Sequence, residues 1–164
     1  MRASIQPLSP SDWPVVRAIY AEGIATGDAT FERNAPEWDA WNTAHIDRCR
    51  LIARVEKDIA GWAALTPVSG RCVYAGVAEV SVYVATSARR SGVGTALLAA
   101  LIEASEASGI WTLQAGIFPE NMASVTLFTK AGFRIVGRRE RIGQMEGRWR
   151  DTLLLERRSA LVGI

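Results

Sequence analysis

The run Ala88-Arg89-Arg90-Ser91-Gly92-Val93-Gly94-Thr95 does most to limit what this chain can become. Before it stands an alternating apolar run, Glu79-Val80-Ser81-Val82-Tyr83-Val84, which reads as a strand. After it comes Ala96-Leu97-Leu98-Ala99-Ala100-Leu101-Ile102, which reads as a helix. A helix start leaves its first backbone N–H groups unpaired and carries partial positive charge. Glycine at 92 and 94 lets an anion approach those groups with no Cβ in the way. Arg89 and Arg90 add full charges. The turn therefore reads as a seat for a pyrophosphate. It is not the three-glycine dinucleotide fingerprint, and no Gly-Lys-Ser/Thr follows to make a P-loop.

The flanking sequence supplies the rest of the fold expectation. Arg2 to Leu8 reads as a first strand. Ser9, Ser11 and Asp12 offer caps, and Pro14 suits the first turn of a helix carrying Val15, Ile19 and Ile24, which Gly23 or Gly27 ends. Gly27-Asp28-Ala29-Thr30-Phe31 reads as a loop. Asn34 and Pro36 open a second helix with Trp38, Trp41 and His45 on it. Leu51–Val55 and Ile59–Leu65 form a hairpin across Glu56-Lys57-Asp58. Cys72 to Val84 reads as one long extended run, interrupted at Gly76 by a bulge or a close backbone approach. The helix after the central turn stops at Gly109, and Trp111–Ile117 is the next strand. Asn121 caps a short helix from Met122 to Lys130. Phe133–Gly137 and Thr152–Leu155 are two last strands around a basic excursion, Arg138 to Arg150.

The order is β-α-α-β-β-β-α-β-α-β-β. It predicts an α/β chain of the mixed α+β type, a mostly antiparallel twisted sheet flanked by helices, in a single domain over 1–164. With 49% hydrophobic and 22% charged residues the chain is expected to fold, and a net charge of +2 makes it no strong polyanion binder. The run Arg138-Arg139-Glu140-Arg141 lacks interleaved aromatics, so no nucleic-acid partner is expected. Cys49 and Cys72 have neither metal-type spacing nor the number for a disulfide framework, and no metal site is expected. No apolar run reaches membrane-spanning length and no signal-peptide layout opens the chain, so the expected setting is the cytoplasm, with no membrane partner.

The turn Arg89-x-x-Gly92-x-Gly94, taken with Asn121 and Leu127-Phe128-x-Lys130-x-Gly132-Phe133, resembles the GNAT superfamily of N-acetyltransferases, which bind acetyl-coenzyme A (acetyl-CoA). Glu79-x-Ser81-Val82-Tyr83-Val84, Arg71-x-x-Tyr74, Gly147-x-Trp149-x-Asp151 and Phe31 resemble, more narrowly, the group acetylating phosphinothricin, methionine sulfoximine and methionine sulfone. The resemblance implies acetyl-CoA as co-substrate. Backbone of Val82, Tyr83 and Val84 would hold its pantetheine arm, and Arg89, Arg90, Ser91, Gly92, Val93, Gly94 and Thr95 its pyrophosphate. Asn121 and Ser124 would meet the pantetheine near the thioester. Glu79 would be the general base, and Phe31, Arg71, Tyr74, Val80 and Ser81 would line the acceptor pocket with it. The group implies a homodimer. Phe128 departs from the pattern, since Tyr or His is common there and Phe donates no proton.

The chemistry agrees with that implication. An amine attacks a thioester only when unprotonated, so a nearby carboxylate that takes its proton is required, and Glu79 is the carboxyl group nearest the turn on the strand that leads into it. Two other readings stay open at this point. One is an acetyltransferase for a protein N-terminus or a polyamine; the other is a coenzyme A-binding sensor with no turnover.

Overall fold

The computed structural model describes residues 2–164. Strand β1 (Ser4–Pro7) leads into helix α1 (Trp13–Ala25) and helix α2 (Trp38–Ala44). Strands β2 (Leu51–Val55), β3 (Asp58–Pro67) and β4 (Val77–Val84) follow. Helix α3 (Val93–Ala107), β5 (Thr112–Ile117), α4 (Met122–Lys130), β6 (Arg134–Met145) and β7 (Arg148–Arg158) complete the chain. The seven strands form one sheet in the order β1-β2-β3-β4-β5-β7-β6. Every pair is antiparallel except β4 and β5, which the α3 crossover makes parallel.

That parallel pair is short. Val77, Ala78 and Glu79 pair with Thr112, Leu113 and Gln114, and there the ladder ends. Beyond it β4 stays paired to β3 through Val84, while β5 stays paired to β7 through Ile117. The two central strands therefore part after Glu79 and leave a gap in the middle of the sheet.

Side-chain alternation sends the two faces to different partners. Leu65, Ala78, Val80, Leu113, Ala115 and Leu155 pack with Leu97, Leu98 and Leu101 of α3 and Phe128 of α4. On the other face Trp62 and Ala64 pack with Trp13, Val16 and Ile19 of α1 and Trp41 of α2. Tyr83 lies on Trp62 at 5.0 Å and on Tyr20 at 4.8 Å, and its ring fills the place where Gly23 would carry a Cβ.

Several expectations shift by local geometry. The presumed second helix starts at Trp38 with Glu37 as its N-cap, so Asn34 and Pro36 stay in the loop and His45 stands at the C-cap. Gly23 is buried inside α1, and Gly27, at φ +77°, follows its end. The long extended run from Cys72 is broken: Cys72–Tyr74 is a 3₁₀ turn, and β4 starts only at Val77. Gly76 is a close approach, since a Cβ there would lie 2.1 Å from the Trp111 ring, whose backbone N–H donates to Gly76 O at 2.9 Å. The last two strands are far longer than the apolar cores that mark them. They close in a tight hairpin at Glu146 (φ +50°) and Gly147 (φ +77°), the two left-handed positions that a type I′ turn needs. Asp151 secures the irregular stretch of β6, accepting from Arg141 N at 2.7 Å and Arg138 Nε at 2.8 Å. The Arg141 amide first, and then the Arg138 side chain, hold its carboxyl below the usual range.

Candidate active site

The anion seat is built as a bend with free amides. Arg90 (φ +63°) and Gly92 (φ +85°) are left-handed, and Gly92 caps α3 without a side-chain cap. Among the described residues no backbone carbonyl accepts from the amides of residues 90 to 95; the first bond of the helix runs from Ala96 N to Gly92 O at 3.0 Å. Alternating left- and right-handed residues turn successive amides to one side and make a concave nest for an anion. Arg89, Arg90, Ser91, Gly92 and Thr95 are exposed, whereas Val93 is buried under the sheet and anchors the helix start. The Ser91 hydroxyl donates to Ala88 O within the bend. Gly94 is needed for packing as well: a Cβ there would stand 3.3 Å from Leu127 and 3.5 Å from Val84. Glu22 of α1 accepts from Thr86 N at 2.7 Å and so fixes the chain entering the bend.

The seat opens onto the gap between β4 and β5. Ala85 donates its N–H to Ala60 O across the β3 side at 2.8 Å. Main-chain groups alternate sides along a strand, so Ser81 and Tyr83 also turn their N–H and C=O to β3. Val80, Val82 and Val84 turn theirs towards β5. Since the ladder to β5 ends at Glu79–Gln114, Val82 and Val84 present strand-like donors and acceptors to the gap. Tyr83 was expected to share that task, but its main chain is committed to β3 and its phenol to the α1 face, where burial raises its pKa. Val80 is likewise corrected: its side chain lies 7% exposed in the α3 core, opposite to Glu79 and Ser81, and cannot line a pocket with them.

Glu79 occupies the last paired rung before the strands part. Gln114, beside it on the same face, donates Nε2 to Glu79 Oε1 at 3.3 Å, and the second oxygen has no partner among the described residues. Arg71 and Tyr74 stand on the loop before β4, both exposed, with the guanidinium 5.6 Å from the Tyr74 ring centre. Phe31 stands at the other end, edge-on to Phe118 at 4.9 Å and against Gly143 of β6. Glu79 thus lies along the sheet between two aromatic groups that do not meet.

Asn121 caps α4 by accepting from Ser124 N at 3.2 Å, and its Nδ2 donates to Asp28 O at 3.1 Å. It therefore joins the α4 start to the loop that carries Phe31. Phe128 is buried against Phe133 at 4.9 Å, so this position offers packing and no proton. Nothing along the chain points to Gln114 as the partner of Glu79, or to Arg150, whose buried guanidinium pairs with Asp28, 122 residues away. Only pairing across strands could have revealed them.

Comparison with known proteins places this geometry. A family profile described as Acetyltransferase (GNAT) family matches residues 15–133. The chain is 30% identical to an L-methionine sulfoximine/L-methionine sulfone acetyltransferase of Pseudomonas paraeruginosa, over 95% of this chain and 94% of that protein. It is 37% identical to a phosphinothricin N-acetyltransferase of Streptomyces coelicolor, over 93% and 94% of the two chains. Its fold matches the crystal structure of a GNAT superfamily phosphinothricin acetyltransferase from Sinorhizobium meliloti in complex with acetyl-CoA, with a TM-score of 0.88, 26% identity, and coverage of 99% of this chain and 91% of that one. With these relatives matched over more than nine-tenths of its length, this chain belongs to the GNAT acetyltransferase family and is an acetyl-CoA-dependent N-acetyltransferase.

Proposed function

We propose that this enzyme acetylates the α-amino group of a small amino acid-like acceptor, with methionine sulfoximine, methionine sulfone and phosphinothricin as its first candidates. The observation that carries the reading is the position of Glu79, on the last rung before β4 and β5 part, with the amide seat at the other end of the gap. The amides of residues 90 to 95, with Arg89 and Arg90 beside them, hold the pyrophosphate of acetyl-CoA. Val82 and Val84 hold the pantetheine arm as a partner strand would, and Asn121 and Ser124 flank its thioester end. Relatives named for those acceptors support the substrate class.

The acceptor amine gives up a proton to Glu79, directly or through water, and its nitrogen attacks the thioester carbonyl. A C–N bond forms as the C–S bond breaks. The coenzyme leaves as a thiolate, and the second proton that the acylated nitrogen sheds passes to it through water, since Phe128 has none to offer. A thiol with an ordinary pKa of ~8.5 is a tolerable leaving group without a protein acid. Arg71 pairs with the acidic group of the acceptor, and Phe31, Tyr74 and Ser81 bound its space.

The working form is a homodimer in the cytoplasm. Ile135, Val136 and Ile142 of the edge strand β6, and Trp149 of β7, are 51%, 43%, 50% and 57% exposed, which is more apolar surface than one hairpin carries without a partner. Light scattering behind a sizing column reads the assembly directly. Release of free coenzyme A from acetyl-CoA, measured across sulfoximines, sulfones, phosphinothricin, polyamines and peptides, tests the acceptor. The sulfoximine, sulfone and phosphinothricin acceptors should turn over best. Preferential turnover of peptides or polyamines would overturn the acceptor class, and binding of acetyl-CoA with no turnover on any amine would make the protein a sensor.

A further inference from the structure

The loop from Thr26 to Glu37 has no helix or strand of its own, yet it carries Phe31. Its far end is held by Arg17, which donates to Pro36 O at 3.0 Å and to Ala35 O at 3.2 Å. Its near end is held by one side chain from β7. Arg150 is 6% exposed; its Nη1 donates to Gly27 O at 2.9 Å, and its Nη2 to Asp28 Oδ1 at 2.8 Å and Glu120 Oε2 at 3.4 Å. The guanidinium lies 4.0 Å from the centre of the Phe118 ring, and Phe118 is the ring against which Phe31 stands. Asn121, next to Glu120, returns a second bond to Asp28.

We infer that Arg150 is a positioning residue, the fastener that sets the Phe31 loop in register with the turn Phe118–Asn121 and hence with the start of α4. A buried guanidinium is costly unless its donors are paired, so the loop, Glu120 and the cation require one another. Nε is buried with no partner among the described residues, which leaves the two terminal nitrogens to do the holding. Arg150 also forms part of the wall of a cleft of about 580 Å³, bounded by Gly27, Asp28, Arg33, Met145 and Arg148. Without the guanidinium the near end of the loop has open space to move into. Only arginine fits the place, because it joins a flat face for Phe118 to a fork for two acceptors; lysine offers a single point charge. In the proposed reaction the fastener bears chiefly on the acceptor, through Phe31, while acetyl-CoA keeps the amide seat of residues 90 to 95 and the β4 edge at Val82 and Val84, none of which Arg150 touches.

Hydrogen exchange on the protein without substrates tests the fastener by itself. Arg150→Met should raise exchange in segments 26–33 and 118–124 by about 10-fold or more, with α3 and the β2–β3 hairpin unchanged. Asp28→Asn, a half-exposed partner whose loss leaves the arginine in place, should raise the same two segments less. Kinetics form the second arm and rest on the acetyl-transfer reading. KM for the acceptor should rise on the order of 10- to 100-fold in Arg150→Met, KM for acetyl-CoA less than about 3-fold, and Arg150→Lys should recover part of the loss. Unchanged exchange in the two segments, or a rise spread evenly over the chain, would overturn the proposal. So would equal rises in both KM values. If Arg150→Met does not fold, the Asp28→Asn exchange pattern decides alone. If the wild type turns over no acceptor, the exchange arm still stands, and the failure belongs to the acceptor reading.

Discussion

Gln114 Nε2 donates to Glu79 Oε1 at 3.3 Å, across the final rung of the parallel ladder. One carboxylate oxygen is thereby fixed in direction and the other is left open, at the point where the sheet stops being continuous. The gap beyond that rung comes from two strands keeping their outer partners while losing each other. The sheet thus provides an unpaired main-chain edge for a ligand and an oriented carboxylate from one local event.

Gly92→Val should abolish measurable acetyl-CoA binding while leaving the fold intact. Among the described residues, no atom beyond its own stretch of chain lies within 4 Å of the place its Cβ would occupy, so the core is not disturbed. The φ of +85° is unfavourable for any L side chain by about 1–2 kcal/mol, and more so for a β-branched one. The side chain would also project from the cap of α3, where the free amides are. Calorimetric titration, with circular dichroism to confirm folding, checks this; wild-type affinity in the variant would remove the anion seat from the account.

Gly76→Ala should destabilise the protein without touching the site. A Cβ would stand 2.1 Å from Trp111 Cε3, and the ring cannot move freely because Trp111 N is bonded to Gly76 O and its carbonyl accepts from Ser159 N. Overpacking of this kind costs about 1–3 kcal/mol, which in a chain of this size lowers Tm by several degrees, roughly 2–4 °C per kcal/mol. Thermal unfolding of the purified variant reads the shift.

Stability should fall as pH drops below the ordinary histidine range, and His45 should be a named part of the fall. Burial, first, and the Arg50 cation hold its pKa below 6.5, while its Nδ1 lies 2.8 Å from Trp41 O. Between the unfolded value and the lowered folded one, the unfolded chain binds a proton that the folded chain refuses, so acid favours unfolding in that window. His45→Gln should flatten the decline of Tm between about pH 6.5 and pH 5, above the range where carboxylates titrate. An unchanged slope would assign the decline elsewhere.

Much of this was legible along the chain because it is written in near neighbours. Helix α4 runs from Met122 to Lys130, as Asn121 and Gly132 mark it, and α3 begins just after Gly92. Strand β4 was legible for the same reason, since it runs into a glycine turn that opens α3. What was hidden depends on distant partners. Tyr83 reads as a member of the coenzyme edge until the Ala85–Ala60 bond shows which way the main chain faces. Val80 alternates correctly with Ser81, but only the packing of α3 says which of the two faces is dry. The length of β6 was missed because its residues are exposed nearly throughout and carry no apolar period. Arg150 looked like one more cation in a basic hairpin, and nothing local says that Asp28 and Phe118 close over it.

The most direct test of the central claim is the steady-state rate of coenzyme A release by Glu79→Gln with the best acceptor of the panel, set beside its calorimetric affinity for acetyl-CoA. The substitution keeps the shape at the last rung and removes the proton acceptor. In Glu79→Gln kcat should fall by about 10²–10⁴-fold and lose the acid limb of its pH profile, while the affinity stays within a few-fold of wild type. Wild-type turnover across the pH range would contradict it.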